Sequence, residues 1–363
     1  MFDIEGILRQ GVISGASDVH LKVGEAPIFR KHSAIKRTNL PALTQEDMDA
    51  IVQKLIPENM KSKIANIFDF DFSYEIPGLS RFRVNFCRDL GRISFVIRII
   101  PFAVPTCREL NLPPSIENFT KINNGIVLVT GPTGSGKTTT IASLLDHINT
   151  NYQKHIVTLE DPVEFIYTNK KSLFTQRQLG IDTASFPDGV KYALRQDPDI
   201  ILIGEMRDRE TIMSALKAAE TGHLVFSTLH TTDAVQTVNR IINAFEPYER
   251  EPLKQQLAAT LRGTIAQKLV RKADGQGRVP AAEILVVTPA VQNYIIKDEL
   301  SGVYDLIKAG KFNDMITMNM SLYRLVKTGL VTKEEAIKAS DSPNELEQMI
   351  KGAFHGSGEI AAY

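Results

Sequence analysis

The chain has 363 residues, of which 43% are hydrophobic and 23% are charged, a composition typical of a globular protein with two domains. Its 42 basic and 42 acidic side chains cancel, which excludes a strong overall attraction to nucleic acid or to an acidic membrane surface. The two cysteines, Cys87 and Cys107, exclude a disulfide scaffold and a cysteine-based zinc site, and they are typical of a reducing compartment.

The N-terminal stretch carries acidic residues where a signal peptide would carry basic ones, and no segment approaches the roughly 20 apolar residues of a membrane span. These features predict a cytoplasmic protein, and they leave open that it docks on a membrane complex.

Residues 1–100 predict an α+β domain. Helical periodicity over residues 2–13 is followed by two strand segments, SDVHLKV and APIFRKHSAIKRT. A helix is predicted over 44–56, with Thr44 as its N-cap and Asp47 close to completing a capping box. Alternating apolar and polar residues then predict three antiparallel strands, at 68–76, 80–89 and 92–100.

A proline-rich segment, 101–121, predicts an interdomain linker, because proline removes backbone donors and fixes φ. From 122 to 290, short apolar runs alternate with helical stretches, which is typical of parallel strands buried on both faces of an α/β domain. Residues 291–363 predict a C-terminal helical region, with Thr332 capping one helix and a loose tail at 355–363. The predicted fold class is therefore α/β, with an α+β first domain.

The segment GPTGSGKTTT, at 131–140, predicts a phosphate-binding loop because it follows an apolar strand and opens an amphipathic helix. Its backbone N–H groups and the helix N-terminus attract phosphate. Lys137 is expected to reach the β- and γ-phosphates of ATP, and the Thr138 hydroxyl to ligate Mg²⁺. A flexible Gly/Ser loop is the alternative. The predicted nucleotide-binding residues are Gly131, Thr133, Gly134, Ser135, Gly136, Lys137, Thr138 and Thr139.

Two groups of carboxylates are candidates for the hydrolysis chemistry. Glu205 follows the apolar run 200–203, where a P-loop strand often has an acidic residue; Gly204 stands at the aspartate position. We expect Glu205 to orient or deprotonate the attacking water. Behind the run HIVTL, we expect Glu164 to polarise water and Glu160 or Asp161 to join the magnesium shell. An ordinary acidic turn is the alternative for this second group.

Arginines could neutralise the charge that develops on the transferred phosphoryl group. Arg81 and Arg83 lie two residues apart and therefore share one face of a predicted strand, with Arg88 beyond them. Arg195, upstream of the Glu205 strand, is a further candidate. Solvated surface charge is the alternative for the strand pair.

The segment TGHLVFSTLHTT, at 221–232, has a histidine at each end of an apolar run. A zinc site is disfavoured, because no pattern supplies the further ligands that zinc needs. His230 is expected beside the phosphate pocket, where it could sense the γ-phosphate or bond a catalytic carboxylate. His223, at the opposite end, is expected to act across a subunit interface. Core or capping histidines remain the alternative for both.

With these residues in place, the chain resembles the secretion-ATPase superfamily, and within it the PilT-like pilus retraction motors. In family terms, four of the motifs are the Walker A, Asp, Walker B and His boxes. The resemblance rests on ASDVHL (16–21), RFRVN (81–85), GPTGSGKTTT (131–140), TLEDPVEF (158–165), LRQDPDIILIGEMRD (194–208) and ETGHLVFSTLHTTDA (220–234).

The resemblance implies a PAS-like N-terminal domain, a linker and a RecA-like ATPase domain. It also implies a homohexamer with Mg-ATP at the subunit boundaries, where Arg81 and Arg83 of one subunit reach the γ-phosphate held by its neighbour. Such motors work at the cytoplasmic face of the inner membrane. They dock on a PilC-like platform protein and act indirectly on pilin.

Two differences from related motors bear on whether the chain resembles the assembly branch or the retraction branch of the family. The four-cysteine zinc element and the additional N-terminal domain of assembly-type relatives are not seen, which favours the retraction branch. In AVQNYIIK (290–297), however, Gln292 and Ile296 stand where retraction motors typically have arginines. An accessory PilU-like paralogue that binds ATP and modulates a paralogous pilus motor is therefore the alternative. A nucleic-acid translocase is disfavoured by the zero net charge and the absence of interleaved aromatic and basic residues.

Overall fold

The computed structural model describes residues 2–31, 34–62, 64–100 and 103–352. The chain divides into two compact units, Met1–Ala103 and Val104–Tyr363. No helix in these described ranges is long and apolar enough to cross a membrane. The predicted tail at 355–363 lies outside them.

The first unit is built on a six-stranded antiparallel sheet with the order β3-β2-β1-β6-β5-β4. Its strands are β1 (Asp18–Lys22), β2 (Ile28–Lys31), β3 (Ala34–Arg37), β4 (Asp69–Ile76), β5 (Ser80–Asp89) and β6 (Arg92–Ile100). Its helices are α1 (Ile4–Ile13), α2 (Gln45–Leu55) and α3 (Glu58–Lys61), with a 3₁₀ turn at Ile64–Asn66. The helix predicted at 44–56 is present, and Thr44 and Asp47 form a complete capping box.

Strand β5 shows how the first unit forms its core. Phe82, Val84 and Phe86 are fully buried on one face, while Arg81 and Arg83 alternate with them on the other. The buried face packs with apolar residues of α1 and α2. Because successive side chains of a strand point to opposite faces, the sequence alternation fixes which residues face away from the helices.

The second unit is built on a seven-stranded sheet with the order β13-β12-β7-β11-β10-β8-β9. Six strands are parallel, and β13 is antiparallel to β12. Every residue of β7, β10 and β11 is buried, which explains their continuous apolar runs. The strands are β7 (Gly125–Thr130), β8 (His155–Glu160), β9 (Leu173–Gln178), β10 (Ile200–Ile203), β11 (Leu224–Leu229), β12 (Leu261–Arg271) and β13 (Arg278–Val286).

Helices cover both faces of this sheet and continue to the end of the described chain, which confirms the predicted fold class. They are α4 (Lys137–Asn151), α5 (Phe186–Ala193), α6 (Arg209–Glu220), α7 (Ala234–Ile242), α8 (Arg250–Thr260), α9 (Pro289–Lys297), α10 (Val303–Ala309), α11 (Met318–Lys327), α12 (Lys333–Ala339) and α13 (Pro343–Ile350). Thr332 caps α12, as expected from the sequence.

Most of the segment interpreted as a linker packs inside the second unit. Cys107, Leu112, Ile116 and Phe119 are buried in a cluster with residues of β7 and α4, and residues 114–121 form a 3₁₀ helix. Proline starts this helix, a position where the missing N–H has no cost. The prolines therefore shape a docked segment rather than an extended connection over its whole length.

Candidate functional site

The parallel strands bring the predicted motifs to one edge of the second sheet. Strands β7, β8, β10 and β11 are neighbours and run in the same direction, so their carboxyl ends share an edge. The phosphate-binding loop, the Glu160–Glu164 segment, Glu205 and His230 each follow one of these ends. This edge is where open α/β sheets bind their ligands.

The phosphate-binding loop needs its glycines for two reasons. Gly131, Gly134 and Gly136 have φ values of 144°, 77° and 90°, in the region that favours glycine. A Cβ on Gly131 would lie 2.3 Å from the Gln267 carbonyl oxygen, and one on Gly136 would lie 2.8 Å from Gln267 Nε2. The loop can therefore fold tightly against β12 only without side chains at these positions.

Lys137, the first residue of α4, folds back over this loop. Its Nζ donates to the carbonyl oxygens of Gly131 at 2.8 Å and Pro132 at 3.2 Å. Burial lowers the pKa of Lys137, and the negative charges of Glu205 and Glu164 oppose that shift. The ammonium group thus lies within electrostatic reach of both candidate carboxylates, at the N-terminus of a fifteen-residue helix.

The hydroxyl residues of the loop differ in their surroundings. Ser135 is buried, and its Oγ has no hydrogen-bond partner among the described residues, so a bound phosphate could satisfy it. Thr133 is exposed, while Thr138 and Thr139 are half-buried in the first turn of α4. Thr138 therefore has a hydroxyl at the place where a P-loop residue would hold Mg²⁺.

The carboxylates that follow β8, which include the two predicted magnesium ligands, differ in their burial. Glu160 is buried, accepts a hydrogen bond from Thr158 Oγ1 at 2.7 Å, and accepts another from the Glu164 backbone at 3.4 Å. Burial raises the pKa of Glu160 to about 7. Asp161 and Glu164 are exposed and face solvent. Of the two candidates, Asp161 is the better ligand, since magnesium prefers an ionised, accessible oxygen.

No group of three or more His, Cys, Asp or Glu side chains in the described ranges is arranged to hold a metal by itself.

Glu205 forms the centre of an ionic cluster. Arg207 Nε lies 2.7 Å from Glu205 Oε1, and His230 Nε2 lies 2.8 Å from the same oxygen. Burial by itself would raise the pKa of Glu205, but the bonds and charges of Arg207 and His230 outweigh it and hold the pKa below its ordinary value. Glu205 is therefore ionised near neutral pH, as a group that orients or deprotonates water must be.

Close packing between strands explains why glycine precedes Glu205. A Cβ on Gly204 would lie 3.2 Å from the Leu159 carbonyl oxygen and 3.5 Å from Glu160 Cα. The Gly204 carbonyl oxygen also accepts the Thr228 hydroxyl at 2.7 Å. A side chain at position 204 would crowd the backbone of β8. The carboxylates near this point are those of Glu160 and Glu205.

The two histidines lie at opposite ends of β11. His230 follows its carboxyl end and contacts Glu205, whereas His223 precedes its amino end. His223 Nδ1 lies 3.0 Å from the Ala218 carbonyl oxygen and 3.1 Å from Thr221 Oγ1. The structure thus brings His230, but not His223, to the phosphate-binding edge of its own chain.

The predicted arginines fall in two places: Arg195 lies at the amino end of a strand of the second sheet, and Arg81, Arg83 and Arg88 belong to the first unit. Arg195 is exposed, precedes the amino end of β10, and stacks its guanidinium 5.9 Å from the ring centre of Tyr192. In the first unit, Arg83 pairs with Asp71 at 3.3 Å, and Arg81 Nε is shielded from solvent without a hydrogen-bond partner in the described ranges. Arg88 donates to backbone oxygens of Ile64 and Ile67, which is a structural role.

Sequence reasoning missed two residues of this site. Gln267, on β12, donates from Nε2 to the Ser135 carbonyl oxygen at 2.7 Å and accepts the Thr140 hydroxyl at 2.7 Å, so it clamps the phosphate-binding loop to its helix. No motif marks it. Arg207 could have been identified from the sequence, because it stands two residues after Glu205 in GEMRD.

Comparisons with known proteins place the chain in one family. A family model described as "Type II/IV secretion system protein" matches residues 107–335. The chain is 42% identical over 344 residues to the "Type IV pilus retractation ATPase PilT" of Pseudomonas aeruginosa, covering 95% of this chain and 100% of that protein. It is 34% identical to the "Type IV pilus ATPase PilU" of the same organism, covering 96% of this chain and 91% of that protein.

Among solved structures, a crystal structure of the pilus retraction motor PilT with bound ADP matches with a TM-score of 0.89 at 42% identity. That match covers 96% of this chain and 100% of the other.

Proposed function

The chain belongs to the type II/IV secretion ATPase family as a PilT-like P-loop ATPase, and from this premise we propose that it is the motor that powers type IV pilus retraction. The observation that carries the proposal is the match to PilT over 95% of this chain and 100% of that protein. Retraction would withdraw pilin subunits from the fibre and produce twitching motility.

The proposed assembly is a homohexamer at the cytoplasmic face of the inner membrane, docked on a PilC-like platform protein. Arg81 and Arg83 support it, because Arg207, at the phosphate-binding edge of the second unit, is paired with Glu205, and phosphoryl transfer gains from a guanidinium group that can reach the transferred phosphate. A neighbouring subunit would supply these guanidinium groups. Arg195 and His223, both at the amino edge of the sheet, would likewise serve only a neighbour's site.

Within one chain, the proposed roles follow from the geometry. Lys137 binds the β- and γ-phosphates, and Glu205 orients or deprotonates the attacking water while His230 fixes its carboxylate. Glu164 polarises water from the neighbouring loop. Bound magnesium would neutralise phosphate charge, and Thr138 and Asp161 are the residues that would hold it.

An accessory role is the second candidate, and helix α9 is the observation that favours it. Ile296, at a position where retraction motors typically have arginine, packs partly against the apolar core of the second unit. Gln292 is half-buried. The positive charge of the two arginines in the usual motif is therefore missing from this helix, as it could be in a paralogue that modulates another motor.

A deletion strain of the source organism tests the function. We expect excess surface pili and lost twitching, both restored by the wild-type gene and neither restored by K137Q, which removes the phosphate contact. Bald cells would contradict retraction and indicate assembly. Normal pili and normal twitching in the deletion strain, with ATPase activity in the purified protein, would indicate the accessory role.

A further inference from the structure

The β12–β13 hairpin contacts the phosphate-binding loop and also the amino end of α7, the helix that follows His230. Gln267 on β12 holds the phosphate-binding loop. On β13, Glu283 lies opposite Ala266, one register position away from the Gln267–Ala282 pair, so the two polar side chains leave opposite faces of the hairpin. Glu283 Oε1 accepts a hydrogen bond from the backbone N–H of Ala234 at 3.0 Å. Ala234 is the first residue of α7.

The segment between His230 and α7 is tied to the first turns of that helix. Thr231 Oγ1 and Thr237 Oγ1 lie 2.7 Å apart, and the Thr237 hydroxyl donates to the Asp233 carbonyl oxygen at 2.7 Å. The Asp233 side chain caps the helix by accepting from Gln236 N at 2.7 Å. Fixing Ala234 therefore fixes the short segment that ends at His230.

The surroundings of Glu283 join this contact to the C-terminal helices. Its side chain is 4% exposed and faces a cavity of about 130 Å³ whose other polar walls come from Asp233, α10, α11 and the turn after α12. Burial raises its pKa to about 7, the Ala234 N–H opposes this, and Asp233 and Asp341 add to it. A carboxyl group is costly to bury, which favours a specific use for the hydrogen bond that it accepts from Ala234.

We propose that Glu283 is a positioning residue for ATP hydrolysis. Its carboxyl oxygen holds the amino end of α7. Because His230 lies just before that helix, this contact also holds the His230 side chain in its position beside Glu205. The inference rests on the ATPase activity of the proposed function. It also gives the helices that line the cavity a physical connection to the catalytic edge.

Three substitutions test this in the purified full-length chain. E283L removes the acceptor, E283Q keeps an acceptor oxygen, and A234P removes the donor at a helix position that tolerates proline. We expect E283L and A234P to lower kcat about tenfold while nucleotide Kd stays within about twofold, because the change displaces a catalytic side chain and not the phosphate cradle. E283Q should keep most of the wild-type kcat.

A double-mutant cycle with His230 separates positioning from a general loss of structure. In an H230A background, E283L should lower kcat by less than about twofold, because the side chain that it positions is already missing. The matched control is E345Q. Glu345 contacts Lys308, Asn319 and Tyr304 in the same helical layer, and within the described residues no hydrogen bond or ion pair joins it to α7, so kcat should not change.

Equal losses from E283L with and without His230 would overturn the proposal, as would an unchanged kcat in A234P. If E283L does not fold, A234P and the A234P/H230A pair carry the same test. A wild-type chain without ATP turnover would instead refute the enzymatic part of the proposed function, so the two failures are distinguishable.

Discussion

At the scale of single residues, the carboxylate of Glu205 is the centre of the site. Arg207 Nε and His230 Nε2 both contact its Oε1, at 2.7 and 2.8 Å. Two side chains thereby hold the carboxylate in place. In the proposed mechanism, this arrangement would orient Glu205 as a general base without neutralising it.

The contact between His230 and Glu205 predicts the behaviour of H230A. Removing the imidazole releases one of the two anchors of the carboxylate but leaves the phosphate-binding loop intact. We expect kcat to fall roughly tenfold to a hundredfold while nucleotide Kd remains within about twofold. Steady-state ATPase kinetics together with nucleotide titration measure both quantities, and an unchanged kcat would refute a role for His230.

The contact between Arg207 and Glu205 predicts a pH effect. The guanidinium helps to hold the pKa of Glu205 below its ordinary value against burial, so R207Q should raise that pKa. Because the base must be ionised, the acidic limb of the pH–rate profile should move to higher pH. R207K, which keeps the charge, is the control. An acidic limb that stays in place in R207Q would contradict Glu205 as the titrating base.

At the scale of secondary-structure elements, the site depends on strands that come from distant parts of the chain. The phosphate-binding loop lies between β7 and α4, but the side chain that clamps it comes from β12, more than a hundred residues later. The apolar runs of β7, β8, β10 and β11 could be identified in the sequence because both faces of these strands are buried, whereas the parallel strand β9 is mostly half-buried and was not identified. The antiparallel β12–β13 pair was not identified, since its register with β7 is a tertiary property.

The Gln267 clamp predicts the effect of Q267L. The substitution removes the bonds to Ser135 and Thr140 and leaves their polar atoms without those partners. We expect nucleotide Kd to rise about tenfold, with a smaller change in kcat, because the ground-state cradle is loosened. Isothermal titration with ADP measures the Kd. Q267E, which can accept from Thr140 but cannot donate to Ser135, should fall between wild type and Q267L.

At the scale of the whole molecule, the division into two units separates the phosphate-binding loop from the arginine-bearing strand. Lys137 and Glu205 belong to the second unit, and Arg81 and Arg83 to the first. If a neighbouring subunit completes each site, a defect in one unit can be complemented by a chain with a defect in the other. This makes subunit mixing the decisive measurement.

We expect K137Q and the R81A/R83A double variant each to be inactive alone. Co-assembled from a mixture, they should regain a measurable fraction of wild-type turnover, since some interfaces then pair an intact loop with intact arginines. R88A, outside the proposed contact, is the control for the first unit. Turnover of the mixture equal to the sum of its parents, or full activity in a purified monomer, would exclude a site shared between chains.

The sequence by itself determined the local parts of this protein: the phosphate-binding loop, the capped helices, the alternating strands of the first unit and the buried strands of the second. These follow from φ preferences, hydrogen-bond capping and the period of apolar residues, all of which act over a few positions. Its motifs also placed it in the correct family. Only the tertiary structure decided that Gln267 contacts the phosphate-binding loop, that Glu283 contacts the first residue of α7, that the proline-rich segment docks, and that Glu160 is buried while Asp161 is exposed. Those outcomes depend on which distant strands become neighbours and which atoms they remove from water.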